Sequence, residues 1–141
     1  MKKLSLVLLI DDNEADNEFH EIVIRQSNIT AQLTSVSSSL KAFDYLKNCL
    51  SLENNKDFPL PELVFLDINM PAMNGFELLD KLRNVLDSYD RKKKMKIFML
   101  TGSLNPDDKT TALEKYSDLV TGYRVKPLVD TSFLEIVQSH F

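Results

Sequence analysis

Leu63–Phe76 reads LVFLDINMPAMNGF, and this stretch decides the fold. Four apolar residues, Leu63 to Leu66, run into Asp67 and a proline-bearing loop that closes on Asn74-Gly75. A short apolar run bounded by turn signals is the pattern of a strand buried on both faces, as in a parallel sheet. Asp67 then stands where that strand surfaces, a rigidly mounted carboxylate and the first candidate for a reactive group.

Outward from it, strand-like and helix-like segments alternate. Downstream, Asn74 with Glu77 three residues on forms a capping box, and Phe76, Leu79, Leu82 and Leu86 make an apolar stripe at helical spacing. Upstream, Leu4–Ile10 is a near-continuous apolar strand ending at Asp11-Asp12. Asn13 caps a helix with Ala15, Phe19, Ile22, Val23 and Gln26 on one stripe. Ile29–Val36, Thr-bearing and less apolar, reads as an edge strand. Ser37 to Ser39 open a helix that buries Ala42, Phe43, Leu46 and Leu50, with Cys49 near the stripe. Lys96–Leu100 is the fourth strand, stopping at Thr101-Gly102-Ser103. Asn105-Pro106 then starts a helix running through Tyr116. Ala112, Leu113 and Tyr116 are its only apolar anchors, so it should be weakly held and able to move. Leu119–Val125 holds the fifth strand, which stops at Lys126-Pro127. Asp130 caps a last helix carrying Phe133, Leu134, Ile136, Val137 and Phe141. Five βα units spell an α/β doubly wound, five-stranded parallel sheet with five helices, filling residues 1–141 as one domain with no output domain.

Composition narrows the function classes. With 141 residues, Lys+Arg 17 against Asp+Glu 21 and a net charge of -4, the chain gives no electrostatic reason to expect nucleic acid as a partner. Cys49 is the one cysteine, so no disulfide framework or thiolate metal site is expected; a buried structural thiol is. The apolar run near Met1 is too short for a signal peptide and meets Asp11, Asp12 and Glu14 instead of a cleavage site, and nothing approaches a membrane span. The expectation is a cytoplasmic protein with no membrane partner. Ser51–Pro61 and the RKKK run of Arg91–Lys94 read as solvated loops.

The polar residues at the carboxyl ends of the strands carry the chemistry: Asp11 and Asp12, Asp67, Thr101 and Lys126. Open parallel sheets bind ligands there, at the point where strand order reverses. A strand order of 2-1-3-4-5 puts that point between the first and third strands, where the three aspartates meet. Gly75, Gly102 and Gly122 all fall in segments that would border the site, where close backbone approach is useful. Carboxylates about 4 Å apart repel by roughly 4 kcal/mol per pair at an effective dielectric near 20, so a cation is required. All-oxygen ligands open to a phosphate suit Mg²⁺. With Lys126 as a fixed positive charge, the Thr101 hydroxyl and nearby backbone amides, the set fits phosphoryl transfer onto a carboxylate.

IDDN (Ile10–Asn13), LDINMPAMNG (Leu66–Gly75), LTGS (Leu100–Ser103) and GYRVKP (Gly122–Pro127) together resemble the receiver domain of two-component response regulators, in its single-domain, chemotaxis-regulator-like form. The resemblance covers the whole chain and implies a flavodoxin-like fold. It implies that Asp67 accepts a phosphoryl group from a sensor histidine kinase or phosphotransfer protein. It further implies that Asp12 ligates Mg²⁺ directly, with Asp11 acting through water and Asn69 through its backbone carbonyl. Thr101, Gly102 and Lys126 would bind the phosphoryl oxygens, and Tyr123 would change rotamer with Thr101. Lys126-Pro127 would be a cis peptide, and Asn69 and Ser103 would tune dephosphorylation. The family catalyses its own phosphorylation and dephosphorylation but is not a dedicated enzyme. It passes its signal to a downstream protein by contact or by phosphorelay, as a monomer or a switchable homodimer. The long loop 51–61 resembles that of small regulators of phytochrome-type kinases; the connection 88–95 is also long.

Two rivals share parts of this pattern. An aspartate-nucleophile, Mg²⁺-dependent phosphatase of haloacid-dehalogenase type would need an acid/base two residues after its nucleophile, and Asn69 cannot transfer a proton. A pseudo-receiver that binds partners without phosphorylation would be expected to lack an acidic residue or the lysine. Taken singly, Asp11-Asp12 reads equally as a helix cap, Tyr123 as a strand aromatic and Lys126 as a loop lysine. His20 and His140 read as surface residues without a second metal ligand at the usual spacing.

Overall fold

The computed structural model describes residues 3–51, 59–86 and 95–141. Five parallel strands, β1 (Leu4–Ile10), β2 (Thr30–Val36), β3 (Leu63–Leu66), β4 (Lys96–Thr101) and β5 (Val120–Val125), form one sheet in the order β2-β1-β3-β4-β5. They alternate with α1 (Glu14–Ser27), α2 (Ser39–Ser51), α3 (Gly75–Leu86), α4 (Pro106–Thr110) and α5 (Asp130–His140). The sheet and strand order are those the sequence predicts. The RKKK run and most of loops 51–61 and 88–95 lie outside the described residues.

Strand periodicity divides the core in two. Leu8, Ile10, Val64, Leu66, Ile97 and Met99 point to one face, where α2 and α3 cover them with Ala42, Leu46, Leu79 and Leu82. Val7, Leu9, Phe65, Phe98 and Leu100 point to the other, under Ile24 of α1 and Phe133, Ile136 and Val137 of α5. β3 is buried along its whole length, whereas in β5 at the edge only Val120 and Tyr123 are buried. The Asn74 capping box forms in both directions, Glu77 N–H donating to Asn74 Oδ1 at 2.9 Å and Asn74 N–H to Glu77 Oε1 at 3.1 Å. No described helix is long and apolar enough to cross a membrane.

Helix α1 departs from the expected phase. Ala15 and Gln26 are exposed, Phe19 and Ile22 are 46% and 55% exposed, and the buried residues are Asn17, His20 and Ile24. The helix sits over backbone polar groups as much as over side chains, so polar residues occupy its inner face. Asn17 Nδ2 donates to Asp11 O at 2.8 Å, and His20 Nε2 accepts from Leu128 N–H at 3.1 Å. His20 is therefore not a surface residue, and His140 is half-buried with its ring edge-on to Phe98.

Smaller differences occur at the helix ends. In α5 the N-cap is Val129, whose N–H and carbonyl both bond Ser132 Oγ, so Asp130 is the first helical residue and not the cap. Asn105 does cap α4, with Pro106 at its first position, but the helix runs into a π-helical turn at Thr111–Lys115. Leu113 is exposed there. Tyr116 anchors the far end: it stacks on Phe76 at 5.3 Å, donates to Asp80 at 2.9 Å and lies under Arg83, which forks Asp118.

Gly75 opens α3 hard against the backbone just past the end of β3. A Cβ there would run into the Asp67 carbonyl oxygen and lie 3.1 Å from Ile68 Cα. Gly102 has open space, and Gly122 makes room for the Phe98 ring. Gly75→Ala should cost about 1–3 kcal/mol, read as a lower denaturation midpoint at an unchanged m-value, whereas Gly102→Ala should be close to neutral.

Candidate functional site

The site residues are fixed by backbone ladders that run one residue beyond the strands. Asp67 N–H donates to Ile10 O at 3.0 Å, Asp11 N–H to Val36 O at 3.2 Å and Lys126 N–H to Thr101 O at 2.8 Å. Each residue is held by the strand beside its own, so side chains far apart in sequence share one edge of the sheet. The Lys126-Pro127 peptide is cis.

Asp11, Asp12 and Asp67 each place a carboxylate oxygen within 4.8 Å of the others. Asp11 and Asp67 are buried and Asp12 is exposed. Lys126 Nζ reaches into this cluster, 2.5 Å from Asp11 Oδ2, 2.9 Å from Asp16 Oδ2 and 3.6 Å from Asp67 Oδ2. Burial pulls the ammonium down, but hydrogen bonds to Asp11 and Asp16 and the charge of Asp67 outweigh it and hold Lys126 above the ordinary lysine range. Asp67 is pushed above the usual carboxylate range by burial first and by the Asp11 charge second. Lys126, the Thr101 hydroxyl and the Ile68 N–H, at 2.9 Å from Oδ1, pull it back.

Thr101 is fully buried at the end of β4, and its Oγ1 accepts from Ser103 N–H at 3.2 Å. The Ser103 hydroxyl donates to Asp108 Oδ2 at 2.5 Å. Tyr123 lies inward, 7% exposed, its hydroxyl donating to Ser103 O at 3.4 Å. Asn69 is exposed in the loop after Asp67, and Gly102 is exposed between Thr101 and Ser103. Thus Asp11, Asp12, Asp67, Thr101 and Lys126 meet at one point, with Ser103 and Tyr123 linked to it through Thr101. Cys49 is buried, its thiol donating to Pro59 O at 3.4 Å.

Three residues of this region escape the sequence reading: Asp16, Asn17 and His20. Asp16 shares Lys126, Asn17 holds the Asp11 carbonyl, and His20 holds the Leu128 amide two residues after the lysine. The signal available is a second helical phase: Asn17, His20 and Ile24 are spaced i, i+3, i+7, which competes with the more apolar stripe.

The donor set is all oxygen, mostly carboxylate, and open on the Asp12 side, which fits a hard divalent cation. The family model described as response regulator receiver domain matches residues 7–138. Response regulator Rcp1 of Synechocystis is 30% identical over 109 residues, 77% of this chain and 69% of that protein. Among solved structures, a two component response regulator from Cytophaga hutchinsonii superposes with a TM-score of 0.83 at 30% identity, covering 98% of this chain and 97% of that one. The Mn²⁺-bound form of Rcp1 gives 0.69 at 27% identity, covering 96% and 90%.

His20 supplies a test of the buried polar face. Burial lowers its pKa from the usual 6.5; the charge of Asp16 opposes this and that of Lys126 adds to it. The unfolded chain therefore binds a proton that the native chain does not as pH falls below about 6.5, and stability drops over that window by up to about 1.4 kcal/mol per pH unit. His20→Leu should cost about 1–3 kcal/mol at pH 7 by orphaning the Leu128 amide. It should also shrink the loss between pH 7 and 5.5 in urea melts.

Proposed function

The chain belongs to the response regulator receiver family of two-component systems, and from that premise we propose that it is a phosphorylation-activated switch whose acceptor is Asp67. The observation that carries the reading is the Lys126 ammonium 3.6 Å from a buried Asp67 carboxylate, whose pKa burial and then the Asp11 charge raise. That arrangement sets a desolvated carboxylate oxygen beside a fixed positive charge that can serve an incoming phosphoryl group.

Asp12, Asp11, Asp67 and the Asn69 carbonyl would hold Mg²⁺, which supplies charge neutralisation for phosphoryl oxygens. An Asp67 oxygen attacks phosphorus in line, the bond to the donor imidazole nitrogen breaks, and, with the other ring nitrogen already protonated, the imidazole leaves neutral. Lys126 and the Thr101 hydroxyl, with the Gly102 amide, bind the equatorial oxygens that no longer have a partner on the donor. The donor is a sensor histidine kinase or a phosphotransfer protein. Thr101 moving toward the new anion gives up its bond to the Ser103 amide, and Tyr123, tied to Ser103 O, follows. Asn69 and Ser103 border the path of a hydrolytic water and tune the lifetime of the phosphoryl group.

The change is read on the side formed by α4, β5 and α5. Leu104 is 83% exposed there, and Leu113 and Val125 are also exposed. These supply apolar area for a downstream protein or a second copy of the chain. A population shift of a few kcal/mol suffices for such a switch.

Incubation with Mg²⁺ and phosphoramidate should add one phosphoryl group by intact-mass spectrometry, and Asp67→Asn should take up none. Lys126→Met should slow uptake by about 10²-fold. A wild-type protein that gains no mass would overturn the reading.

A further inference from the structure

Lys126 makes two short contacts, and the acceptor carboxylate is neither of them. Its Nζ lies 2.5 Å from Asp11 and 2.9 Å from Asp16, but 3.6 Å from Asp67, beyond ordinary hydrogen-bond length. The two gripping carboxylates differ in kind. The Asp11 side chain is 7% exposed and the Asp16 side chain 39%. If the ammonium leaves, Asp16 can be hydrated at once, whereas Asp11 stays buried and uncompensated. Asp16 is also mounted firmly: its N–H donates to Asn13 Oδ1 at 3.0 Å, and Asn13 N–H donates to Asp11 Oδ1 at 3.0 Å. One turn at the start of α1 thus holds the Asp16 main chain and the Asp11 carboxylate in one bonded unit.

We propose that Asp16 is a positioning residue that latches Lys126 toward α1 in the unphosphorylated protein and is the contact surrendered when a phosphoryl group forms on Asp67. The latch rests on Asp67 being the acceptor. Asp16 competes with the phosphoryl oxygens for one ammonium, so it raises the donor concentration needed to fill the site. It also keeps Lys126 from pairing fully with Asp67, leaving that carboxylate free to attack.

The test uses BeF₃⁻ as the phosphoryl mimic, titrated with Mg²⁺ into the full chain and followed by NMR. Asp16→Asn should lower the half-saturating BeF₃⁻ concentration about three- to tenfold. Asp16→Ser, a second uncharged variant, should do the same, and Asp16→Glu should return it toward wild type. Glu14→Gln removes an equal charge from the same exposed turn, outside the Lys126 cluster, and should change the value less than about twofold. Before any ligand is added, Asp16→Asn should shift the Lys126 ammonium nitrogen resonance. Uncharged variants that match Glu14→Gln, that bind BeF₃⁻ more weakly than wild type or that leave the ammonium resonance in place overturn the latch alone. A wild-type protein that binds no BeF₃⁻ overturns the functional reading and the latch with it.

Discussion

Asp11, Asp16 and Asp67 gather around the ammonium of Lys126 at the carboxyl edge of the sheet, and Asp12 adds a fourth carboxylate beside Asp11 and Asp67. Like charges at about 4 Å cost roughly 4 kcal/mol per pair at an effective dielectric near 20, and one cation cannot offset them all. The fold must therefore hold these groups in place against their repulsion. It does so with main-chain bonds, since the amides of Asp11, Asp67 and Lys126 each continue a strand ladder by one residue. The apolar core on both faces of β1, β3 and β4 then resists any separation of the strands that would relieve the charge.

That scaffold explains the division of labour among the helices. α2 and α3 cover one face with aliphatic side chains, and their packing was readable from apolar spacing. α1 has a different task, because its inner face meets the ends of strands and the loop after Lys126. Asn17 and His20 satisfy buried backbone groups there at the expense of apolar contact, so Phe19 and Ile22 are left outside. Hydrophobic periodicity reports where apolar partners lie and is silent where the partner is a carbonyl or an amide.

The sequence therefore disclosed most of the fold and the centre of the site. Strand runs such as LSLVLLI and LVFL are too apolar for an edge, and the residues ending them line up once the order β2-β1-β3-β4-β5 is adopted. Asp11, Asp12, Asp67, Thr101 and Lys126 were legible because chemistry at strand ends is positional. Asp16 was not, since nothing in its spacing distinguishes a first-turn aspartate favoured by the helix dipole from one that grips a lysine 110 residues away. The cap of α5 was missed for a related reason: Asp130 has the preferred side chain, but Ser132 reaches both polar groups of Val129. Gly102 and Gly122 show that a glycine near a site need not serve it.

If excess negative charge is the feature that organises this edge, a divalent cation should stabilise the whole domain by binding there. Thermal melts across a Mg²⁺ series at constant ionic strength test this directly. The account predicts saturable one-site stabilisation, about 2–3 kcal/mol at a hundredfold excess over Kd, strongly weakened in Asp12→Asn. A midpoint that stays constant from zero to saturating Mg²⁺, or that rises equally in wild type and Asp12→Asn, would contradict it.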